Sequence, residues 1–422
     1  MQVKPPVTSG VTLGAGCSVA AQLAAGRRAP SHCAPMSASN LPANPFYASA
    51  EQRVALARQR FFEDGVRPSG MVSEAVLQSW SRCLRSHNDP GKPAVFEPVT
   101  PSRVHNTLRA NRELLDAAAG EMERLRLTLA GTASTAMLTD AHGVLIGSTF
   151  TQARSHERLM PISMRVGVNL AEEAVGTTAP GITARTGQPS VVSGGEHFFG
   201  NVQVMHCAAA PIRDVRRQVA GVLDLSSEGL PFGFDAASVV AHYAAEIENR
   251  LLLAQSTEHL VVRMQISPAL LDTPMAALLG ISGDGCIDWL NGAAARLLGL
   301  GHAAGGRLGL PVEDQLGLPM AGLLGLSTSD APQPLRLPNG LTLWLRPELR
   351  ARDGLARSHA ARPEPAPAAP ADAAPPTATL RETERQAVMR VLGECKGNVS
   401  KAARTLGVSR GLIYRHLKAG EA

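Results

Sequence analysis

The side chains of this chain that could do chemistry fall into two groups. Near the C-terminus, polar and basic residues recur at helical spacing, and such side chains contact phosphates and base edges when a helix presents them to duplex DNA. This group comprises Asn398, Ser400, Lys401, Arg404, Ser409, Arg410, Gly411, Tyr414, Arg415 and Lys418. In the middle of the chain, carboxyl, hydroxyl, imidazole and thiol groups could orient a small molecule in a pocket. This second group comprises Glu172, Thr177, Thr178, Glu196, His197 and Cys207.

Two short helices joined by a tight turn are predicted to carry the C-terminal group. Gly407 can adopt the left-handed conformation that ends the first helix, and Asn398 and Ser409 are suitable N-caps. Apolar residues at three-to-four spacing give each helix a face to bury against a third helix, predicted from about Leu380 to Cys395. The pattern therefore predicts a helix-turn-helix module.

Charge is concentrated in the same module. Residues 380–422 hold nine Lys and Arg against four Glu, whereas the rest of the chain is balanced. A basic excess confined to one segment favours a polyanionic partner over solvated charge on a helical bundle. Lys401, Arg404 and Lys418 are expected to meet phosphates. The residues expected to reach base edges are Ser409, Arg410, Gly411, Tyr414 and Arg415.

The stretch from Gly397 to Lys418 resembles the Fis-type helix-turn-helix that ends many bacterial enhancer-binding activators. The resemblance implies that double-stranded DNA is the partner and that the chain binds as a homodimer, with RNA polymerase as a further candidate partner. Relatives that activate the sigma-54 polymerase also carry an ATPase with the motif Gly-x-x-x-x-Gly-Lys-Ser/Thr. This motif does not occur in the 422 residues, so ATP-driven promoter opening by this chain alone is not expected.

The central group lies in a segment that predicts an antiparallel sheet with flanking helices. Ala133–Leu138 and Val144–Ile146 indicate one strand pair around a turn, and Met205–Ile212 and Val219–Ser226 indicate a second. Several polar residues also have plain structural interpretations: Thr177 as a partner of the backbone, Glu196 and His197 as an ion pair within a loop, and Cys207 as a small buried apolar side chain.

Motifs in this region resemble the GAF sensory domain of regulators related to the acetoin-catabolism activator. The matching segments are Ala171-Glu172 followed by Gly176-Thr177-Thr178-Ala179-Pro180-Gly181, then Glu196-His197-Phe198, Cys207–Ile212 and Gly221–Ser226, with Ser79-Trp80-Ser81-Arg82-Cys83 near the front. The resemblance covers roughly Gln52 to Arg350 and implies a small-molecule effector held by the central group. Thr178 and Pro180 depart from the family pattern, which leaves the identity of the ligand open.

Beyond this sheet, Phe234 to Met264 predicts a long amphipathic helix, which could transmit a signal, pair two subunits or pack on its own sheet. Ala277–Ser282 and Cys286–Leu290 flank a turn and precede a helix capped by Asn291, which looks like the opening of a PAS domain. A later hairpin is predicted around Asn339-Gly340.

Other function classes find little support in the sequence. The six cysteines are scattered singly, without CxxC or zinc spacing, so no metal or cofactor is predicted and a cytoplasmic location is expected, with nucleoid association when DNA is bound. A thiol enzyme using Cys207 with His206 or His197 as base is the rival from another class. A third interpretation is an interaction protein that modulates an ATPase-containing relative by mixed dimerisation. No catalytic residues are predicted, and no apolar run approaches the roughly 20 residues that span a bilayer.

The sequence thus predicts an α+β multidomain regulator with a GAF-type antiparallel sheet and helices, a small PAS-like α+β domain and a C-terminal all-α helix-turn-helix. Six prolines between Arg362 and Pro376 indicate a linker, and the Gly- and Ala-rich start indicates disorder, a start at Met36 or, as the rival, a signal peptide. The predicted ranges are 1–48 disordered, 49–120 helical, 121–232 GAF-like, 233–265 connecting helix, 266–350 PAS-like, 351–379 linker and 380–422 helix-turn-helix.

Overall fold

A computed structural model describes residues 49–87, 89–300, 308–327, 329, 331–350, 356–357, 388–395 and 398–413. The chain divides into two compact units, Met1–Ala361 and Arg362–Ala422. The predicted N-terminal extension and nearly all of the predicted linker lie outside the described residues. None of the described helices is both long and apolar enough to cross a bilayer.

Within residues 49–133, as far as the structure describes them, four α-helices precede the first sheet. Ser49 caps the first, because its Oγ accepts a hydrogen bond from the N–H of Gln52 at 3.2 Å. The first helix continues directly into a π-helical turn, Gln59–Glu63. Thr100 is the N-cap of the third helix, and Pro101 is its first residue. The helices are α1 (Ala50–Arg58), α2 (Glu74–His87), α3 (Pro101–Ala110) and α4 (Arg112–Thr128).

The first sheet is antiparallel, with strand order β2-β1-β5-β4-β3, and it contains both hairpins that the sequence predicts. Gly143, at φ +81°, makes the turn of the first hairpin, where a left-handed residue is required. The strands are β1 (Ser134–Asp140), β2 (Leu145–Ser148), β3 (Ser190–Ser193), β4 (Met205–Arg213) and β5 (Val219–Glu228). The helices are α5 (Met160–Ser163), α6 (Glu172–Val175) and α7 (Ala179–Thr186) before β3, and α8 (Ala236–Gln255) after β5.

The two faces of this sheet bury different clusters, because successive side chains of a strand point to opposite faces. Ala208 and Leu223 belong to the cluster that packs under α4 and α8. Cys207 and Val222 belong to the other cluster, which is covered by α1, α2 and α7. The second face is therefore enclosed by the N-terminal helical segment, residues 49–87.

A second sheet, with the order β10-β11-β6-β7-β8-β9, follows α8. The hairpin predicted around Asn339-Gly340 forms, and the side chain of Asn291 caps the predicted helix by accepting from the N–H of Ala294. The strands are β6 (Leu260–Gln265), β7 (Ala277–Ile281), β8 (Cys286–Leu290), β9 (Leu310–Pro311), β10 (Gln333–Arg336), β11 (Thr342–Arg350) and β12 (Ala356–Arg357), the last paired with β11. The helices are α9 (Gly292–Leu298), α10 (Val312–Leu316) and α11 (Met320–Leu326).

The predicted connecting helix is too long at its C-terminal end. The sequence predicted helix from Phe234 to Met264, but α8 ends at Gln255 and Leu260–Gln265 forms the strand β6. The periodic apolar residues there include β-branched Val261 and Val262, and tertiary pairing with β7 and β11 overrides a helical pattern.

The end of α8 packs against the second sheet. Leu252 joins Val261, Leu278 and Trp289 in one buried cluster. The indole of Trp289 lies over Gly280 so closely that a Cβ at this glycine would be 1.9 Å from the indole nitrogen. The two sheets therefore share a buried junction within the first unit.

The C-terminal unit contains the predicted turn and its helices. Residues 388–394 are helical, α12 spans Val399–Leu406, and residues 410–413 are again helical. Asn398 caps α12 by accepting from the N–H of Lys401 at 3.1 Å, and Gly407 ends it at φ +65°. A small core holds the helices together; its buried residues are Val388, Val391, Ala402, Ala403 and Ile413.

Candidate functional site

The motif Ser79–Cys83 on α2 contacts the GAF-like motif Ala171–Gly181 directly. Arg82 makes a bidentate ion pair with Glu172, with Nε–Oε2 at 2.6 Å and Nη2–Oε1 at 2.7 Å. On the same helix the hydroxyl of Ser79 lies 2.8 Å from that of Thr177. Two motifs separated by about ninety residues in the sequence thus form one contact, buried at Ser79 and Thr177 and partly buried at Arg82.

Thr178, a second hydroxyl of the central group, has a local structural role. Its Oγ1 accepts from the N–H of Gly181 at 3.2 Å and so caps α7. Together with the pairing of Glu172 and Thr177, this means that the first three predicted ligand residues hold the motif to α2 and to itself. Their role in binding an effector stays a prediction.

The N-terminal helical segment is also fastened to the loop that carries Glu196 and His197. The guanidinium of Arg58 donates to the carbonyl oxygens of residues 195, 197 and 198, at 2.9, 2.6 and 3.0 Å. The indole N–H of Trp80 donates to the carbonyl of Glu196 at 2.7 Å. Burial lowers the pKa of Arg58 to about 10, so the guanidinium keeps its charge at neutral pH.

Glu196 caps its own turn. Its carboxylate accepts from the N–H of Ser193 at 2.9 Å and completes a capping box with that residue. Burial nevertheless raises the pKa of Glu196 to about 7. The side chain serves the backbone of the loop, and a direct ligand contact stays a prediction.

Behind this loop lies a chain of buried polar side chains, here called the polar cluster: His197, Cys207, Ser226 and Asp224. The Nε2 atom of His197 is 3.6 Å from the Sγ atom of Cys207. The hydroxyl of Ser226 is 3.2 Å from that sulfur and 2.7 Å from Oδ2 of Asp224. A hydroxyl has one proton, so Ser226 can donate to only one of them at a time.

Asp224 is the least expected member of the polar cluster. Its side chain is 0 % exposed, and burial raises the pKa of its carboxyl well above the ordinary value. The other carboxyl oxygen, Oδ1, has no hydrogen-bond partner among the described residues. Leaving such an atom unsatisfied costs about 1–3 kcal/mol in a folded protein.

Sequence reasoning missed both Asp224 and Ser226, although a signal was present. In Val222-Leu223-Asp224-Leu225-Ser226, a carboxyl and a hydroxyl alternate with apolar residues in a strand that is buried on both faces. An ionisable residue at an interior position of such a strand indicates a special role.

The protonation states in the polar cluster oppose thiol catalysis. A nucleophilic cysteine needs a lowered pKa beside a cationic imidazole. Here burial raises the pKa of Cys207 well above its ordinary value and lowers the pKa of His197 to about 4. Both groups are therefore neutral at physiological pH, which does not suit the enzyme hypothesis.

An open cleft of about 570 Å³ lies between α3 and the β1–β2 turn. Arg103, Asn106 and His142 line it, and all three are exposed to solvent. The buried carboxylate at its base, Asp140, is already held by the backbone N–H groups of His142 and Val144 at 2.9 and 2.8 Å. The cleft thus offers exposed groups and no unsatisfied buried one.

In the C-terminal unit, those predicted DNA-contacting residues that the structure describes lie outside the small core. Lys401, Arg404, Ser409, Arg410 and Gly411 are exposed, whereas Ala402, Ala403 and Ile413 are buried. The Asn398 side chain is used as a cap, and the carbonyl of Ser400 accepts from the Arg404 side chain at 3.3 Å. Tyr414, Arg415 and Lys418 lie outside the described residues.

Two segments of the chain match known protein families. Residues 50–234 match the family described as MimR, N-terminal domain, and residues 379–420 match the bacterial regulatory protein, Fis family. The propane 2-monooxygenase operon transcriptional activator MimR of Mycolicibacterium smegmatis is 30% identical over 174 residues, which is 40% of this chain and 28% of that protein. The acetoin catabolism regulatory protein of Cupriavidus necator is 28% identical over 257 residues, 58% of this chain and 36% of that protein.

A solved complex, the N-terminal part of Escherichia coli DhaR with DhaL, aligns with 65% of this chain and 98% of that chain at 17% identity, with a TM-score of 0.40. The chain spans about a third of the length of these two curated relatives.

By class, the chain has an α+β body followed by a helix-turn-helix module of the Fis family. More particularly, its body matches the MimR N-terminal domain and its C-terminal module matches the Fis family, and the similar proteins include the activator MimR and an acetoin catabolism regulatory protein. The predicted resemblance, the fold class and the Fis-type module are confirmed.

Proposed function

We propose that this chain is a ligand-responsive regulator, which senses a small metabolite in its body and binds operator DNA through its C-terminal module. The observation that carries the DNA-binding half is the exposed face of the helix-turn-helix, where Lys401, Arg404, Ser409 and Arg410 lie outside a small buried apolar core. Such a face can enter the major groove while its cations meet phosphates.

The sensory half is supported by the polar cluster. An enclosed face of the first sheet holds neutral hydrogen-bonding side chains, and one carboxyl oxygen of Asp224 has no partner among the described residues. Ligand sites are largely apolar enclosures with a few convergent polar groups. A bound effector can change operator occupancy only through its different affinity for the two states, commonly about 5- to 150-fold.

Fluorescence anisotropy of the full chain on a duplex from its own upstream region, against a random duplex of equal length, tests the DNA-binding half. We expect tighter binding to the upstream duplex at moderate salt, because base contacts add to the phosphate contacts that both duplexes offer. Equal affinities for the two duplexes would contradict operator recognition. Small molecules added to the same assay test the sensory half, through a shift of the apparent Kd.

Homodimerisation follows from the proposal, since a two-fold symmetric operator is read by two helix-turn-helix modules about one duplex turn apart. A rival role is that of a partner-binding modulator of a longer, ATPase-containing relative. Sedimentation of the purified chain separates the two: a self-contained dimer supports independent action, and a monomer that binds DNA only with a longer relative supports modulation. The neutral state of Cys207 and His197 supports a non-enzymatic role within this proposal.

A further inference from the structure

We propose that Asp224 is the polar anchor of an effector site inside the first sheet domain, and that this site takes a small uncharged molecule carrying a hydroxyl group. The inference rests on the proposed function, because it names the anchoring residue and the ligand class of the proposed sensory domain.

The first step is the unequal use of the two carboxyl oxygens. Oδ2 of Asp224 is 2.7 Å from the hydroxyl of Ser226, whereas Oδ1 has no hydrogen-bond partner in the described part of the chain. Buried polar atoms in folded proteins are nearly always satisfied, and the exceptions mark strain, function or a bound species. Oδ1 is therefore the point at which a ligand group would gain most.

The second step is the charge of the surroundings. Across residues 49–87 and 89–300, no cation pairs with Asp224, and the other members of the polar cluster are a hydroxyl, a thiol and an imidazole. An anionic ligand would meet a carboxyl without a compensating cation. An ammonium ligand would need the ionised carboxylate, which complete burial disfavours. An uncharged ligand avoids both costs.

The third step separates hydroxyl from carbonyl ligands. A protonated carboxyl donates through one oxygen and accepts through the other, and Ser226 can either donate to Oδ2 or accept from it. A hydroxyl both donates and accepts, so it satisfies Oδ1 in either arrangement. A ketone only accepts and fits just one of them.

The fourth step concerns size. All four side chains of the polar cluster are at most 4% exposed, so the site is closed by its own domain. On the two neighbouring strands, Asp224 is paired with Ala209 of β4 and with Met137 of β1. Ala179, the first residue of α7, lies beside Cys207. A ligand of only a few heavy atoms fits best with such close neighbours, and it can reach Asp224 only if α7 or the N-terminal helical segment moves.

Thermal unfolding of the full chain with a matched set of probes tests the proposal. The probes 2-butanol, butanone, propionate and sec-butylammonium have the same number of heavy atoms and differ in the head group. We expect 2-butanol to raise the unfolding midpoint most, by about 2–4 °C at several times its Kd. Propionate and sec-butylammonium should leave the midpoint unchanged.

Variants locate the effect. Asp224→Leu should fold, because an apolar side chain replaces an unsatisfied buried oxygen, and should lose the response to 2-butanol. Asp224→Asn retains a hydrogen-bonding group and should therefore retain part of the response to 2-butanol. Asp140→Asn is the matched control, since Asp140 is a buried carboxyl of the same sheet that binds backbone N–H groups, and its response should be that of the wild type.

Three outcomes would overturn the inference: an equal response in wild type and Asp224→Leu, a preference for propionate or sec-butylammonium, or no response to any probe. The first two leave the proposed function intact, because the wild type still senses a small molecule. The proposed function falls separately, if no small molecule of any class changes the occupancy of the operator.

Discussion

The guanidinium of Arg82 and the carboxylate of Glu172 form a bidentate ion pair that joins α2 to the GAF-like motif of the first sheet domain. The side chain of Glu172 is 5 % exposed, so the pair closes the N-terminal helical segment over the face that holds the polar cluster. This contact makes the segment part of the domain that it covers.

Arg82→Ala should therefore destabilise the chain by about 3 kcal/mol, because it leaves a carboxylate buried without its partner. Urea unfolding measures the loss. Arg67→Ala on the exposed pair with Glu74 is the matched control and should cost far less, because solvent screens that pair. The double variant Arg82→Met with Glu172→Leu should recover most of the loss, and a double variant as unstable as Arg82→Ala would argue against the buried charge as the cause.

Acid should destabilise the chain through His197. Burial lowers its pKa to about 4, against 6.5 for an ordinary imidazole, so the unfolded chain binds this proton more readily. The stabilisation is complete above pH 6.5 and is lost as the pH falls toward 4. His197→Asn should remove roughly 3 kcal/mol of that pH dependence, measured as unfolding free energy against pH. Identical slopes in wild type and variant would refute the assignment.

Glu196 should destabilise the folded chain as the pH rises, in contrast to His197, which destabilises it in acid. Its pKa is raised from 4.5 to about 7 by burial, so its contribution is present below pH 4.5 and is lost as the pH rises through 7. Glu196→Gln should flatten the decline in unfolding free energy over that window, in the same urea titrations. A variant that declines as steeply as the wild type would show that other groups cause it.

The thiol of Cys207 should be the slowest of the described cysteines to react. Burial raises its pKa, whereas Cys286 and Cys395 are partly exposed. With N-ethylmaleimide at mildly alkaline pH, mass spectrometry should show Cys207 labelled at least about tenfold more slowly than Cys286. Fast, selective labelling of Cys207 would revive the thiol-enzyme hypothesis.

The basic face of the helix-turn-helix should carry phosphate contacts. Arg404→Ala should weaken binding to operator and random duplexes alike. It should also reduce, by about 1, the magnitude of the slope of log affinity against log salt concentration. Arg410→Ala should instead cost about 1–3 kcal/mol on the operator and relax its specificity. Arg112→Ala, an equal change of charge on α4, is the control and should leave both affinities unchanged. Anisotropy titrations at several salt concentrations measure all three.

The junction between the two sheets should depend on Gly280. A methyl group there would lie 1.9 Å from the indole nitrogen of Trp289, so Gly280→Ala should cost about 1–3 kcal/mol by overpacking. Gly283→Ala, in the nearby turn with nothing within 4 Å of the added carbon, should be close to neutral. Calorimetry of the two variants compares them, and equal midpoints would contradict the packing argument.

Local chemistry in the sequence was enough for several elements. The caps at Asn398 and Asn291, the left-handed turn at Gly407 and the hairpin at Gly143 follow from residues within a few positions of one another. The end of α8 could not be predicted in this way, because Leu260–Gln265 becomes a strand only by pairing with strands that are distant in the sequence.

The sequence by itself determined the fold class, the family resemblance and the confined basic charge of the helix-turn-helix, since periodicity, capping and composition act over short distances. Only the tertiary structure decided which polar groups share a site. In the folded chain Glu172 pairs with Arg82, and Thr177 forms a hydrogen bond with Ser79. Ser226 lies between Cys207 and Asp224. Burial and partner choice arise when remote segments pack together, and they set both the charge and the available hydrogen bonds of each side chain.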